Sequence, residues 1–312
     1  MALGALPDYP WDLMAPYAER AAAHPGGLVD LSIGSKELVA LLPFMLGVGE
    51  GDVVVHPRAA YPTYEMGALF AGARALASDD PEEWPDATRL IWLNTPGNPD
   101  GRVLSVDELR AARERARELG AVIVSDECYA ELGWDAPWDE QPVPSLLDPR
   151  VTDGDTRHTL AIYSLSKQSN MAGYRAAFIA GCRESIARLT NVRKHAGLMP
   201  PAPLQEAMVV ALGDDRHVAE QKERYRRRRD LLRPAVEAAG FRVDRSEGGL
   251  YLWATEGRDA WDSIGRLADL GILAGPGHFY GVHYPGHVRL SLTATDERIA
   301  AGAERLGASA RV

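Results

Sequence analysis

Reactive side chains are concentrated in one stretch, Ser164-Leu165-Ser166-Lys167-Gln168-Ser169-Asn170-Met171-Ala172-Gly173-Tyr174-Arg175. A lysine amine forms a Schiff base with an aldehyde. Ser164, Ser166 and Arg175 are hydroxyl and guanidinium donors suited to a phosphate, and arginine offers a planar fork for it. The set could capture a molecule that carries both an aldehyde and a phosphate. A polar surface loop that happens to hold Lys and Arg is the alternative, and this stretch alone does not separate the two.

The elements around the lysine must position it. A strand-like run at 159–163 leads in and an apolar run at 176–180 leads out, so Lys167 falls where a strand meets a loop. Further apolar runs at 53–55, 90–93 and 121–125 read as strands, with helices over 64–71 and 105–119 between them. The second helix opens on Ser105 with Glu108 three residues on, a capping box, and Gly120 stops it. Continuous apolar strands separated by helices indicate a mostly parallel sheet covered on both faces, an α/β fold. Beyond helices at 184–194, 204–212 and 218–239 the texture changes. Strands at 241–243, 250–254, 272–274 and 288–292 with helices between them predict a smaller α+β domain. The expected division is an N-terminal arm over 1–33 that belongs with the smaller domain, a large domain over 34–200, and the smaller domain over 201–312. Gly34-Ser35-Lys36 precedes an apolar helix at 38–46. Its free backbone N–H groups suit an anion, or Ser35 is a plain N-cap.

In open α/β sheets ligands bind beyond the carboxyl ends of the strands. Tyr61, Asn98, Asp126, Tyr129 and Lys167 all fall just past such ends. Singly they read as turn residue, helix cap or core aromatic. Together they match the needs of pyridoxal phosphate (PLP), which drains electrons from a substrate carbon into a pyridinium ring. Asp126 suits the ring nitrogen, which a carboxylate keeps protonated. Asn98 and the Tyr129 hydroxyl suit the ring's phenolic oxygen, and Tyr61 suits the ring face. Lys167 would hold the cofactor and, once freed by a substrate amine, move a proton between two carbons.

Charge and composition exclude other classes. The net charge of −10 argues against a nucleic-acid partner. Arg226-Arg227-Arg228-Arg229 lies in a helical stretch flanked by acids and reads as a solvated face. Two cysteines, Cys128 and Cys182, form neither a disulfide framework nor a metal spacing. His278, His283 and His287 lack helical spacing and read as loop histidines, so no metal is expected. With no signal peptide and no run of about 18 apolar residues, the chain is expected in the cytoplasm and not in a membrane.

Three segments carry a resemblance: Asn94-Thr95-Pro96-Gly97-Asn98-Pro99, Ser125-Asp126-Glu127-Cys128-Tyr129, and Ser164 through Arg175. They resemble the fold-type I PLP enzymes of the class I/II aminotransferases over nearly the whole chain. The resemblance implies that Lys167 is the Schiff-base lysine and Asp126 the pyridinium partner, with Tyr129 and Asn98 on the ring oxygen and Tyr61 stacked. It implies that Ser164, Ser166, Arg175 and the amides of Ser35-Lys36 hold the phosphate, and that Arg289 in Val288-Arg289-Leu290-Ser291 grips the substrate α-carboxylate. Amino acids, 2-oxo acids and a second copy of the chain are the implied partners. Ser125 to Trp134, Arg193 to Pro203, and Gly249-Leu250-Tyr251-Leu252-Trp253-Ala254 are similar to the actinobacterial succinyldiaminopimelate aminotransferases of lysine biosynthesis. Arg193, Lys194, His195 and the arm near Tyr17 are then the candidates for reading the distal succinyl group.

The chain departs from the family in two places. Leu31-Ser32-Ile33-Gly34 runs straight into Ser35-Lys36-Glu37, so an internal block of the family is missing near 34–35. Asp100 stands where threonine usually follows Asn-Pro. A β-eliminating C–S lyase on the same scaffold, and a non-catalytic remnant left by the deletion, are the alternative readings.

Overall fold

Val53, Val54 and Val55 are buried on both faces of one strand, which happens only where helices cover a sheet on both sides. A computed structural model describes residues 10–23, 29–30 and 37–309. Its strands are β1 (Val29–Asp30), β2 (Val53–His56), β3 (Arg74–Ala77), β4 (Thr88–Asn94), β5 (Val122–Asp126), β6 (Thr159–Ser164), β7 (Ala177–Gly181), β8 (Arg242–Asp244), β9 (Tyr251–Thr255), β10 (Ile272–Leu273), β11 (Gly275–Pro276) and β12 (His287–Ser291).

The large sheet runs β3-β2-β4-β5-β6-β7. All neighbouring pairs are parallel except β6 and β7. On one face Val54, Leu90, Trp92 and Leu160 pack with Leu42 and Tyr64 of the helices Glu37–Met45 and Thr63–Ala71. On the other, Val53, Val55, Ile91 and Ile123 pack with Leu109 and Ala112 of the helix Val106–Glu118. That helix starts at Ser105, whose hydroxyl accepts from the Glu108 N–H while Glu108 accepts from the Ser105 N–H. The mostly parallel α/β expectation stands, with two differences. The apolar run after Lys167 returns antiparallel, with Ala177 of β7 opposite Ser164 of β6. The reading also has no strand at Arg74–Ala77. It is an edge strand whose residues stay partly exposed, so it lacks a continuous apolar run.

The second sheet runs β11-β12-β9-β8 and is antiparallel. The N-terminal arm adds β1 in parallel beside β10, Val29 opposite Ile272. Leu232 and Val236 of the long helix Asp215–Ala238 pack against Leu252 and Leu290 of this sheet and against Leu306 of the last helix.

The turn after β4 joins the two sheets. The Ser246 N–H donates to the Asp100 carbonyl (2.8 Å), the Gly248 N–H to the Gly101 carbonyl (2.9 Å), and Arg245 pairs with the Asp100 carboxylate (2.8 Å). Gly101 has φ of +69°, and a Cβ there would lie 2.5 Å from the Gly248 oxygen, so only glycine allows this approach. Asp100, the departure from the family pattern, is thus a fastener between the sheets.

Candidate active site

Parallel pairing brings the carboxyl ends of three central strands into line. Asn94 of β4 lies beside Asp126 of β5, and Asp126 beside Ile162 of β6, two residues before Ser164. Tyr61, Tyr64, Asn94, Asn98, Asp126, Cys128, Tyr129, Ser164 and Lys167 line one small cleft at this edge. Five strand-end residues of the sequence reading are therefore brought together: Tyr61, Asn98, Asp126, Tyr129 and Lys167.

Lys167 sits in a single helical turn, Leu165–Gln168, rather than in open loop. Its side chain is buried, yet among the described residues its ammonium makes no ion pair and no hydrogen bond. The Tyr129 ring lies 5.9 Å from Nζ to the centroid. Lysine is almost never buried unpaired, so this position is costly unless a ligand completes it. Asp126 is held from both sides. The Tyr64 hydroxyl donates to Oδ2 (2.9 Å) and the Cys128 N–H to Oδ1 (3.2 Å). Tyr64 is fully buried and stacked on Trp92, 4.9 Å between centroids. Burial first, then the neighbouring Asp126 carboxylate, pushes its hydroxyl far above the ordinary tyrosine range, so it remains a donor. Tyr61 is half-buried and edge-on to Tyr64.

A relay of amides runs from this floor to Arg289. Asn94 Nδ2 donates to the Asp126 carbonyl (2.8 Å), the Asn98 N–H donates to Asn94 Oδ1 (2.7 Å), and Arg289 Nη1 donates to Asn98 Oδ1 (2.9 Å). Arg289 lies in the middle of β12, 2% exposed, and its Nε is buried without a hydrogen-bond partner. Its guanidinium is boxed by the rings of Tyr251 (4.0 Å), Tyr280 (4.8 Å) and Trp11 (5.8 Å). Gly275 lies opposite Arg289 on β11, and a Cβ there would meet Tyr280 Oη at 3.0 Å and Trp11 at 3.1 Å. Glycine at 275 leaves room for the aromatic box.

The expected phosphate ligands are not all brought together. Ser164 lines the cleft, with Oγ accepting from the Ser166 N–H (3.2 Å). Ser166 is buried, its hydroxyl 2.9 Å from that of Ser164, and does not line the cleft. Arg175 is exposed; it takes a left-handed backbone (φ +58°) just before β7, and Nη1 donates to the Ala172 carbonyl (3.0 Å). It is not among the residues that line the cleft. Ser35 and Lys36 lie outside the described residues. The candidates for a distal substrate group are also elsewhere. Arg193 pairs with Glu37 (3.2 Å) and donates to the Leu198 carbonyl (2.6 Å), Lys194 and His195 are exposed, and Tyr17 stacks on Trp261. Trp11, not Tyr17, is the arm residue that reaches the site.

The sequence reading missed Tyr64, Asn94, Trp11, Tyr251 and Tyr280 as site residues. Asn94 ends an apolar run and obeys the same strand-end rule as Asp126. Tyr64 lies one helical turn after Tyr61, so a shared face was available as a signal. The other three come from distant segments, whose contacts no local pattern carries.

These donors fit PLP: a buried amine without a partner, a buried carboxylate at a strand end, amide and phenol donors beside them, and a guanidinium with a free edge. Among the described residues, no group of three His, Cys, Asp or Glu could hold a metal, and no helix is long and apolar enough to cross a membrane. A family model described as aminotransferase class I and II matches residues 13–306. A 4-dedimethylamino-4-oxo-anhydrotetracycline transaminase from Streptomyces rimosus is 47% identical over 360 aligned positions, covering 96% of this chain and 99% of the relative. The alignment is longer than the 312 residues present here, so that relative carries stretches with no counterpart in this chain. An LL-diaminopimelate aminotransferase from Aquifex aeolicus is 32% identical over 291 positions, 88% of this chain and 73% of the relative. A solved structure of a probable N-succinyldiaminopimelate aminotransferase from Thermus thermophilus superposes with a TM-score of 0.78 at 26% identity, over 96% of this chain and 85% of that one.

Proposed function

The chain belongs to the class I and II aminotransferases, which depend on PLP, and on that premise we propose that it exchanges an amino group between N-succinyl-LL-2,6-diaminopimelate and 2-oxoglutarate, in the lysine and diaminopimelate pathway. The observation that carries an amino acid and 2-oxo acid reading is Arg289. A guanidinium that is fully buried, keeps one nitrogen unpartnered and has no carboxylate within ion-pair distance among the described residues is made for an anion from outside.

PLP supplies the electron sink for breaking a bond at the substrate α-carbon. Lys167 would hold it covalently, Asp126 would face the ring nitrogen, Asn98 and Tyr129 the ring oxygen, Tyr61 a ring face, and Ser164, Ser166, Arg175 and the amides of Ser35 and Lys36 the phosphate. Arg289 binds the substrate α-carboxylate and fixes which α-carbon bond is presented. Lys167, once free, takes the α-proton and returns it to the neighbouring carbon. Tyr64 keeps the Asp126 carboxylate in one orientation. The interlocked turn at Asp100 and Arg245 keeps Asn98 in reach of Arg289.

We also propose a large domain to about residue 200 and a smaller one beyond it, to which the arm is joined through β1 and β10. The segment that the longer relative adds is proposed to fall at 34–35, outside the described residues. The helix Ala202–Leu212 buries none of its residues and exposes Val209 (67%) and Val210 (72%), which supports a homodimer that covers it. Both cysteines are free thiols, in keeping with a reducing cytoplasm.

A second reading is favoured by the 47% identity to the anhydrotetracycline transaminase: the oxo substrate is a polycyclic ketone. Half-reaction rates separate the two. N-succinyl-LL-2,6-diaminopimelate should convert the PLP form faster than LL-diaminopimelate or aspartate, and 2-oxoglutarate should reverse the change. Faster turnover of a 4-oxo-anhydrotetracycline by the amino form of the enzyme overturns the proposed substrate and leaves the family intact. Release of pyruvate from a cysteine conjugate instead of transamination would establish the β-lyase reading.

A further inference from the structure

We propose that Tyr251 is a positioning residue that couples the carboxylate-binding guanidinium of Arg289 to the Tyr129 hydroxyl facing the cofactor's ring oxygen. The inference rests on the PLP reading above and adds to it a route by which filling one subsite retunes the other.

Strand register places Tyr251. In the β9–β12 pair Arg289 lies opposite Trp253, and Ser291 opposite Tyr251. Tyr251 is therefore the diagonal neighbour of Arg289 on the same face of the sheet, within reach for a large ring. The same diagonal lean stacks Trp253 on His287, 4.9 Å between centroids. The Tyr251 ring meets the guanidinium face, 4.0 Å from Cζ to the centroid. Its hydroxyl lies 3.3 Å from that of Tyr129, with the two rings edge to face. One side chain thus touches the substrate-carboxylate site with its face and the cofactor site with its hydroxyl.

Both phenols are buried, and in such low-dielectric surroundings one hydrogen bond polarises the next. Either hydroxyl could donate across this contact; where Tyr129 gives its own proton to the cofactor's ring oxygen, Tyr251 is left to donate to Tyr129. Burial raises both hydroxyls. At Tyr251 the cations of Arg289 and Lys167 outweigh it and the hydroxyl becomes more acidic than an ordinary tyrosine. At Tyr129 burial and the neighbouring Tyr251 leave it far less acidic. Tyr251 as donor then strengthens the bond from Tyr129 to the ring oxygen. A carboxylate on Arg289 offsets the positive charge over the Tyr251 ring. Tyr251 then donates less strongly, Tyr129 donates less strongly in turn, and negative charge on the ring oxygen is less well stabilised. A proton beside that oxygen is held more tightly. With Tyr251 donating, loss of its hydroxyl, or a carboxylate at Arg289, is expected to raise the pH at which the cofactor's visible band titrates. The Asn98 bond to Arg289 is a parallel route, so removing Tyr251 should reduce the response without abolishing it.

The test uses wild type, Tyr251→Phe, Tyr129→Phe and the double variant, each loaded with PLP. The visible band is titrated with and without succinate, a dicarboxylate with neither an amino nor an oxo group. Tyr251→Phe keeps the ring on Arg289 and removes only the hydroxyl. We expect its midpoint about half a pH unit above wild type, roughly threefold in the protonation equilibrium, and its succinate-induced rise cut at least about twofold. In the Tyr129→Phe background, Tyr251→Phe should shift nothing further. Equal midpoints and equal succinate responses in wild type and Tyr251→Phe overturn the proposal. So does a Tyr251→Phe shift that persists undiminished without the Tyr129 hydroxyl. A wild-type protein with no PLP band reducible by borohydride overturns the cofactor reading itself, a different result from a band that ignores Tyr251.

Discussion

Lys167 and Arg289 are two buried cations, and the protein treats them in opposite ways. Lys167 has no ion pair and no hydrogen bond among the described residues, and its contact with the Tyr129 ring is distant at 5.9 Å. Arg289 has an amide acceptor at 2.9 Å and three rings around it. The chemistry of the two groups explains the contrast. A lysine amine can bond covalently to an aldehyde, so its site leaves it without a fixed partner. A guanidinium stays charged, so a buried one needs faces and acceptors that stabilise it without cancelling its charge toward a ligand. One cation is placed to change, the other to remain.

Substitutions can break that contrast. Lys167→Ala should lower transamination by about ten-thousand-fold or more, since it removes both the covalent anchor and the proton carrier; stopped-flow half-reactions measure it, and a loss under tenfold would mean the cleft lysine is structural. Asp126→Ala should leave PLP bound yet slow α-proton transfer by roughly a hundred- to a thousand-fold, because the ring nitrogen loses the carboxylate that keeps it protonated. Near-normal turnover would show that Asp126 only organises the strand end. Arg289→Lys keeps the charge and loses the fork. We expect kcat/KM to fall about ten- to a hundred-fold, in both half-reactions alike, because donor and acceptor share the site in turn. A loss with one substrate alone would show that Arg289 is not the shared α-carboxylate clamp. The smallest expected effect is at Tyr64→Phe. Removing one of the two donors to Asp126 should weaken PLP binding by about three- to tenfold, read by equilibrium dialysis, whereas unchanged affinity would assign Tyr64 to packing on Trp92.

The same contrast describes what the sequence discloses. Asp126, Asn98 and Lys167 end or follow apolar runs of a parallel sheet, and one rule about strand ends gathers them. Arg289 lies inside an antiparallel strand, where no local pattern marks it; it was reached through resemblance. Its aromatic neighbours Trp11, Tyr251 and Tyr280 come from the arm, from β9 and from a short 3-10 turn. The pairing of β9 with β12 brings Tyr251 to Arg289, and the packing of the arm and of the turn at 277–280 brings Trp11 and Tyr280; contacts between such distant segments have no signature in composition or spacing. Arg175 lies at the other extreme. Its place eight residues after Lys167 is legible in the sequence, and its side chain is exposed and donates to the Ala172 carbonyl.

The central claim is that the buried, unpartnered lysine of the cleft is the one that reacts. The chain has four lysines, Lys36, Lys167, Lys194 and Lys222, so the claim can be settled by position. PLP-loaded wild-type protein is reduced with borohydride, digested, and the pyridoxyl-bearing peptide identified by mass. The account predicts a single stoichiometric label on Lys167. A label on Lys36, Lys194 or Lys222, or none at saturating PLP, would contradict it.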